Sequence, residues 1–555
     1  MNATSLTLGL GEGDEDGGNM RDALVVMAIE RWNTKIPPAA RAFKFKKMAG
    51  SPLAFYRGTN HIFWEDFSDV KMLQQFGNKY TRTWLSGDCH ADNFGTFGSE
   101  KGGLMFGMND FDESVVGDYQ LDVWRLAISL VLVAKANGEE GELGKQDMQK
   151  GVILAFARKY LETLQDFSVM THPECSVVPQ RVYNGQLIED NASTKLLEFL
   201  EIIKNTYTKK KLLKRWCEKV DKQWLFRSDK RKKLVPCGTE EKAAVIKALK
   251  TFHPAIRGIG MKDKLHTWVK DVAFRINVGL GACGLLRYYL LVEDDQGDTH
   301  ILEAKCQPPT TPYLMTKCLS TRLDLKKRFR NEGERFTEAL KAMSLVVEPF
   351  DGWVQLTEAV HPGAAGYYSI RRISEYKETY PLVNSPSASG KLSKLPIRKG
   401  EPLKEMAETF AWVLATQHVS VARKMEMGRP SVKGGRRLGR DGFLADQLGN
   451  AVLKGEGFDA ASETDNSEDG VQRSISELAL KLERVSSPSP SLSGADDDGG
   501  ATGASKGPRF RDEILKLTGS QPGSFEEAVW EISRKYAAQV EKDYNAFRKY
   551  LWTKD

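Results

Sequence analysis

At 555 residues, 41% of them hydrophobic and 28% charged, the chain is long enough for two or three domain-sized units around a large core. That balance forces neither a disordered nor a membrane class on the whole chain, and a net charge of +6 spread over the whole length implies no nucleic-acid partner by itself. Seven cysteines, odd in number and never in a Cys-x-x-Cys pair, fit a reducing compartment and argue against a zinc site. Residues 1–19 are rich in Gly and acid, are expected to be disordered, and lack the basic-then-apolar pattern of a signal peptide. The longest apolar helix candidate, Leu121 to Ala136, contains Asp122, Arg125 and Lys135 and is too short to span a bilayer. The expectation is a cytoplasmic chain without a membrane partner; its oligomeric state stays open.

A helix is predicted over about Met20–Thr34, and Ser51–Gly58 reads as an extended segment closed by a turn. Lys47 and Arg57 could reach a phosphate, although basic residues beside aromatics more commonly snorkel. Tyr80 to Leu85 reads as a strand feeding the loop Ser86-Gly87-Asp88-Cys89-His90-Ala91-Asp92-Asn93. A glycine-rich turn (Lys101 to Gly103) and an apolar run (Leu104 to Met108) then lead to Asn109-Asp110-Phe111-Asp112-Glu113. The reading is loop, strand, hairpin turn, strand, acidic loop. Asp88, Asp92, Asp110, Asp112 and Glu113 are expected to converge at one end of that hairpin. Their mutual repulsion must be offset by raised pKa values or by a cation, and a hard cation carrying phosphates suits oxygen ligands. Gly117 to Asp122 caps a helix running to about Ala136, apolar nearly all round and hence a core helix. Further helices are predicted at 145–167, 192–207 and 209–223. The Lys- and Arg-rich stretch 209–233 reads as a solvated helical face, since its aromatics are few (Trp216, Trp224, Phe226) and suit burial.

From Lys264 the pattern changes to period two. Strands are predicted at 274–278, 285–293 and 300–305, with Gly279-Leu280-Gly281-Ala282-Cys283-Gly284 between the first two. A dinucleotide fingerprint must open a helix, whereas Leu285-Leu286-Arg287-Tyr288-Tyr289 is strand chemistry. A charged helix over 322–344 offers Glu338, one turn after Glu334, as the acidic partner of Lys305. Strands at 353–356 and 367–371 complete a small sheet, and a helix at 403–423 carries His418, read as a satisfied core histidine. Residues 462–508 read as a disordered insertion, and the apolar stripe from Phe525 to Leu551 as a helix buried on the main body.

An Asp, an Asn five residues on and an Asp after a hairpin are the parts kinases use, as is a strand–GxGxxG–strand unit followed by a strand Lys. In that arrangement Asp88 takes the acceptor's proton. Asn93 and Asp110, with Asp112 as an added acid, hold Mg²⁺, and Gly279, Gly281, Gly284 and Lys305 anchor ATP. The two half-motifs stand in inverted order, which implies a circular permutation. The predicted fold is therefore α+β: a two-lobed, protein-kinase-like fold, circularly permuted, with a small antiparallel β N-lobe and a largely helical C-lobe. Its expected parts are a C-lobe segment at 20–260, the N-lobe at 261–400, C-lobe helices at 401–461, and C-terminal helices at 509–555 packing on the C-lobe.

The runs SPLAFYRG, GDCHADNFG, MNDFDE, GDYQLDVWRL, VGLGACGLLRYYLL, EAKCQ, GYYSIRRISEYK and YAAQVEKDYNAF resemble the signature blocks of the domain-of-unknown-function family numbered 2252, from about Arg41 to Trp552. The GDxHxxN and NDFDE blocks also resemble the aminoglycoside and choline phosphotransferase branch of kinase-like proteins. The resemblance implies the roles just given, and adds Asp122 as the helix-start acid that braces the catalytic loop. Two positions depart from that branch: Ser86 replaces the usual His, and Asp112 stands where a Gly is usual. The function expected is Mg²⁺- and ATP-dependent phosphoryl transfer to an unknown small-molecule acceptor. The alternatives are an inactive nucleotide-binding pseudokinase, or nucleotidyl transfer to protein with the same parts. A haloacid-dehalogenase phosphatase built on Asp110-Phe111-Asp112 lacks its later motifs.

Overall fold

The computed structural model describes residues 15–67, 70–98, 103–138, 141–169, 193–227, 234–256, 260–275, 283–316, 329–344, 347–357, 364–383, 392, 397–427 and 509–553. Four helices open the chain: α1 (Glu15–Trp32), α2 (Pro38–Met48), α3 (Pro52–Gly58) and α4 (Asn60–Asp66). The segment expected to be extended is thus helical. Pro52 occupies a first-turn position, where its missing N–H costs nothing, and Ser51 caps the helix by accepting from the Ala54 N–H at 3.1 Å. Strand β1 (Arg82–Leu85) pairs with β4 (Val115–Asp118), and the hairpin β2 (Phe94–Gly98) with β3 (Leu104–Met108) lies between them in sequence.

Helix α5 (Gln120–Asn137) follows, and every residue from Gln120 to Ala134 is buried. Around it pack α6 (Gln146–Val169) and several elements distant in sequence. Next come α7 (Thr194–Thr206) and α8 (Lys209–Trp216), then a hairpin of β5 (Cys217–Val220) and β6 (Gln223–Phe226). The predicted helix over 209–223 therefore stops at Trp216. Asp221 and Lys222 turn the hairpin with φ of 48° and 69°, the left-handed pair that a two-residue turn demands.

The second half builds a seven-stranded antiparallel sheet. Its members are β7 (Leu234–Pro236), β8 (His253–Pro254), β9 (Val269–Arg275), β10 (Arg287–Glu293), β11 (Thr299–Cys306), β12 (Gly352–Leu356) and β13 (Gly366–Arg372), in the order β7-β9-β10-β11-β13-β12-β8. Helices α9 (Thr239–Leu249) and α10 (Met261–Trp268) bring Val245, Leu249, Met261 and Leu265 to one face, against Leu290, Leu302, Val354 and Ile370. The other face packs Tyr289, Leu291 and Ile301 beneath Leu213 and Phe226. Side chains alternate along a strand, so Lys305 shares the face of Ile301 and Glu303, with Arg287 and Ser369 opposite it on the neighbouring strands. Between β11 and β12 lie α11 (Thr311–Met315) and α12 (Glu332–Met343), and after β13 the short β14 (Glu378–Thr379) pairs with β2.

Helices α13 (Gly400–Met427), α14 (Arg509–Gly519) and α15 (Ser524–Trp552) return to α5 and α6. On α15 the residues Phe525, Val529, Tyr536, Val540, Tyr544 and Phe547 are buried. Arg21 of α1 lies 2.9 Å from Asp66 and 2.8 Å from Asp543, tying both chain ends to α4. Phe410 of α13 stacks on Phe94, with ring centroids 4.5 Å apart, and so props the loop that holds Asn93. Phe410→Ala is expected to lower unfolding free energy by about 3–5 kcal/mol, read as a lower denaturant midpoint.

The chain up to Gly428 and from Gly507 onward forms one unit, which holds all the described residues. The expected insertion at 462–508 lies outside the described residues, as do residues 1–14 of the expected disordered N-terminus. Among the described residues, no helix is long and apolar enough to cross a membrane.

Candidate functional site

Strand β1 delivers the chain to Gly87, whose φ of +74° belongs to the left-handed region. A Cβ there would lie 1.9 Å from the Glu113 carbonyl oxygen, so the absence of a side chain is what lets the Asp88 loop and the Asp110–Glu113 loop touch. Asp122, in the first turn of α5, accepts from the Ser86 N–H at 2.6 Å and the Gly87 N–H at 3.3 Å. From the other side, Asn60 Nδ2 (3.1 Å) and Trp64 Nε1 (2.7 Å) donate to the Gly87 carbonyl. The loop is held by both its amides and its carbonyl. A polar acid at the head of an apolar helix is the sequence signal for this brace.

Asp88 Oδ1 accepts from Arg125 Nε at 2.8 Å and Nη2 at 2.5 Å, while its Oδ2 stands 3.8 Å from His90 Nε2. Arg125 is fully buried and lies over the rings of Tyr56 and Phe63 at 4.4 and 4.9 Å. Burial raises the Asp88 carboxyl to about 6, with Arg125 opposing the rise and Asp110 adding to it. Arg125 is the main residue that sequence reading missed; its signal is a lone guanidinium in an otherwise apolar helix, one turn after Asp122. Asn93 donates through Nδ2 to the Asp88 carbonyl at 2.6 Å, which aims its Oδ1 elsewhere, and the Asn109 N–H donates to the Asn93 carbonyl at 3.2 Å.

Across the gap, Lys305 of β11 meets the acidic loop. Its Nζ pairs with Asp112 Oδ2 and lies 4.0 Å from Asp110 Oδ1. Gln307 Nε2 donates to Asp112 Oδ1 at 2.8 Å. Burial alone would raise Asp110, but Lys305, then Arg287, Lys377 and Arg371, outweigh it and hold the carboxyl below its usual range. Burial lowers the Lys305 ammonium despite Asp110. Asp112, expected among the metal ligands, has both oxygens engaged by Lys305 and Gln307. The other two acids of the cluster have partners of their own. Asp92 pairs with Arg57 at 2.6 Å, and Glu113 accepts from the Thr311 N–H at 2.6 Å and hydroxyl at 3.0 Å. Burial raises Glu113 to about 7. Among the described residues no three His, Cys, Asp or Glu side chains gather as a metal site.

The expected Lys305–Glu338 pair does not form. Glu338 lies on the solvent side of α12 and bonds to Lys341 at 2.8 Å. What α12 offers the loop is a cation: Arg335, buried, donates to the Asp112 carbonyl at 2.7 Å and the Ser114 carbonyl at 2.9 Å. The periodic charges of the helix did not reveal which of them faces inward. His418 is a core histidine with a second contact. Its Nδ1 lies 2.9 Å from the Tyr160 hydroxyl and its Nε2 lies 3.5 Å from Asp122. Of the glycine-rich turn, Gly279 and Gly281 lie outside the described residues. Gly284 has φ +87° and abuts Ile36, and the neighbouring Cys283 thiol donates to the Ala40 carbonyl at 3.3 Å. The turn's end therefore touches α2 and the segment before it. On α2, burial lowers the Lys44 ammonium to about 8 against the pull of Cys283, Glu113 and Asp88.

Neither a curated protein nor a solved structure matches the chain. A family profile does, over residues 36–550, and its description is "Uncharacterized protein conserved in bacteria (DUF2252)". With that match spanning both the Asp88 loop and the Lys305 sheet, the chain belongs to the DUF2252 family.

Proposed function

We propose that the chain is a Mg²⁺- and ATP-dependent phosphotransferase with a circularly permuted, kinase-like fold, acting on a small hydroxyl-bearing acceptor. The observation that carries this reading is Lys305, which comes from a sheet two hundred residues downstream and stands 4.0 Å from Asp110 in the loop beside Asp88 and Asn93. The strand pattern supports it too. Five antiparallel strands run β9-β10-β11-β13-β12, the third carries the Lys as its last residue but one, and α12 falls between the third and fourth in sequence.

The donor set fits a hard cation. Asn93 has an amide oxygen turned away from its own bond to Asp88, and Asp110 is a half-exposed carboxylate held ionised. Mg²⁺ takes one or two carboxylates and completes its shell with phosphates and water, so a three-carboxylate cluster is not required. Bound together, metal and nucleotide supply the electrophilic phosphoryl group. Lys305 would leave Asp112 for the phosphates. Asp88, fixed through Oδ1 by Arg125, takes the acceptor's hydroxyl proton on Oδ2.

One observation favours a second reading. Lys305 is clamped by Asp112 and meets no helix carboxylate among the described residues, as in a pseudokinase that binds nucleotide without turnover. Calorimetry with ATP, with and without Mg²⁺, tests both. Metal-dependent binding is expected, and Asp110→Asn should weaken it by about a hundredfold. Label from γ-labelled ATP appearing on an acceptor pool supports the transferase; tight binding without any transfer favours the pseudokinase. No nucleotide binding under either condition sinks both.

A further inference from the structure

Glu338 lines a cavity between α12 and the β12–β8 edge of the sheet. Its volume is about 370 Å³, within the range of small-molecule sites. Glu334, Thr337, Glu338 and Lys341 recur at three and four residues, so one stripe of α12 forms a wall. Pro254, Ala255, Met261 and Trp353 supply apolar lining, and His253 stacks on Trp353 with centroids 4.0 Å apart.

The charges decide the ligand's sign. Arg330 is paired with Glu334 and Lys341 with Glu338, each at 2.8 Å. Lys262, also on the lining, forms no ion pair among the described residues, and it leaves the cavity with one cation in excess. Inside, Thr337 is 5% exposed and its hydroxyl has no hydrogen-bond partner among the described residues. A buried hydroxyl of this kind is normally satisfied, so an unpartnered one on a cavity wall points to a ligand atom. An apolar wall, a free ammonium at the rim and a spare hydroxyl within describe one chemistry.

We propose that this cavity binds a small aryl anion, its ring against Met261 and Trp353 and its phosphate or carboxylate at Lys262 and Thr337. The site is separate from Asp88, and its binding does not depend on the nucleotide reading. It bears on that loop through one helix, because α12 also carries Arg335, which holds the Asp112 and Ser114 carbonyls.

The test is calorimetric titration of the full chain with phenyl phosphate, with inorganic phosphate and phenol as the anion-only and ring-only arms. Saturable one-to-one binding of phenyl phosphate is expected, tighter than either arm and undiminished by saturating ATP and Mg²⁺. Lys262 is exposed, so Lys262→Glu will fold, and it should weaken binding by about tenfold or more. Thr337→Val should weaken it severalfold with an unchanged melting profile. Absence of saturable binding at millimolar phenyl phosphate overturns the proposal. So does equal affinity in Lys262→Glu, displacement by ATP, or inorganic phosphate binding as tightly.

Discussion

Asp88→Asn is expected to lower turnover by about 10²–10⁴-fold, the usual worth of a positioned general base, while nucleotide affinity is retained. Retention is expected because Asp88 touches Arg125 and His90, whereas the groups proposed to hold phosphates and metal are Lys305, Asp110 and Asn93. The same carboxyl sets a pH profile. Its acidic limb should be centred near pH 6, activity rising with pH as Asp88 loses its proton and becomes the acceptor of another. The stability sign runs the other way. A carboxyl raised from 3.8 to about 6 in the fold contributes stability that is fully present below about pH 3.8 and is lost as pH rises through 6. Glu113, raised to about 7, extends that loss toward neutrality. Asn at position 88 cannot ionise, so denaturation from pH 4 to 7 should show a shallower decline in the variant. At pH 4 Asp88 is itself protonated, so Asn leaves Arg125 with the same kind of neutral acceptor and the two proteins start from similar stability. A turnover loss no larger than the change in folded fraction would remove Asp88 from the role of base.

Gly87→Ala is expected to cost about 3–5 kcal/mol of stability, among the largest effects of a single added methyl group. The left-handed backbone alone accounts for about 1–2 kcal/mol. The remainder comes from collision. The new Cβ would sit 1.9 Å from the Glu113 carbonyl oxygen and 2.7 Å from its carbon, and a backbone cannot swing away as a side chain can. Relief requires separating the Asp88 loop from the Asp110–Glu113 loop, so nucleotide binding should fall together with the unfolding midpoint. Gly297 is the control. It has φ +79° with nothing within 4 Å of a built Cβ, so Gly297→Ala should show only the backbone cost. Equal midpoint shifts in the two variants would mean that the close approach at Gly87 is not tight in solution.

Much of the local structure was legible because periodicity states which faces must be covered. Helix α5 was readable from its unbroken apolar run, and α15 from aromatics spaced by three and four. Strands β10 and β11 were readable from alternation around a turn. The failures have equally local causes. Ser51–Gly58 carries aromatics that suit a strand, yet a Ser-Pro start and packing beneath α15 make it a helix. The β5–β6 hairpin turns on Asp221-Lys222, without the Gly or Asn that signals such a turn, so its residues blended into the preceding basic helix.

By itself the sequence determined which chemistry-bearing residues the chain possesses and which lie on loops: Asp88, Asn93 and Asp110 around one hairpin, and Lys305 at the end of a strand. Those spacings are short-range, and short-range geometry follows from backbone periodicity. Only the tertiary structure decided the partners. It gave Asp88 to Arg125, and Lys305 to Asp112 rather than to Glu338. It also turned Arg335 inward while Glu338 faced a cavity. The physical reason is that charge pairing in a packed interior depends on which side chain is buried beside which. On an amphipathic helix with several charges, a rotation of one residue changes that assignment without altering the pattern that a sequence shows.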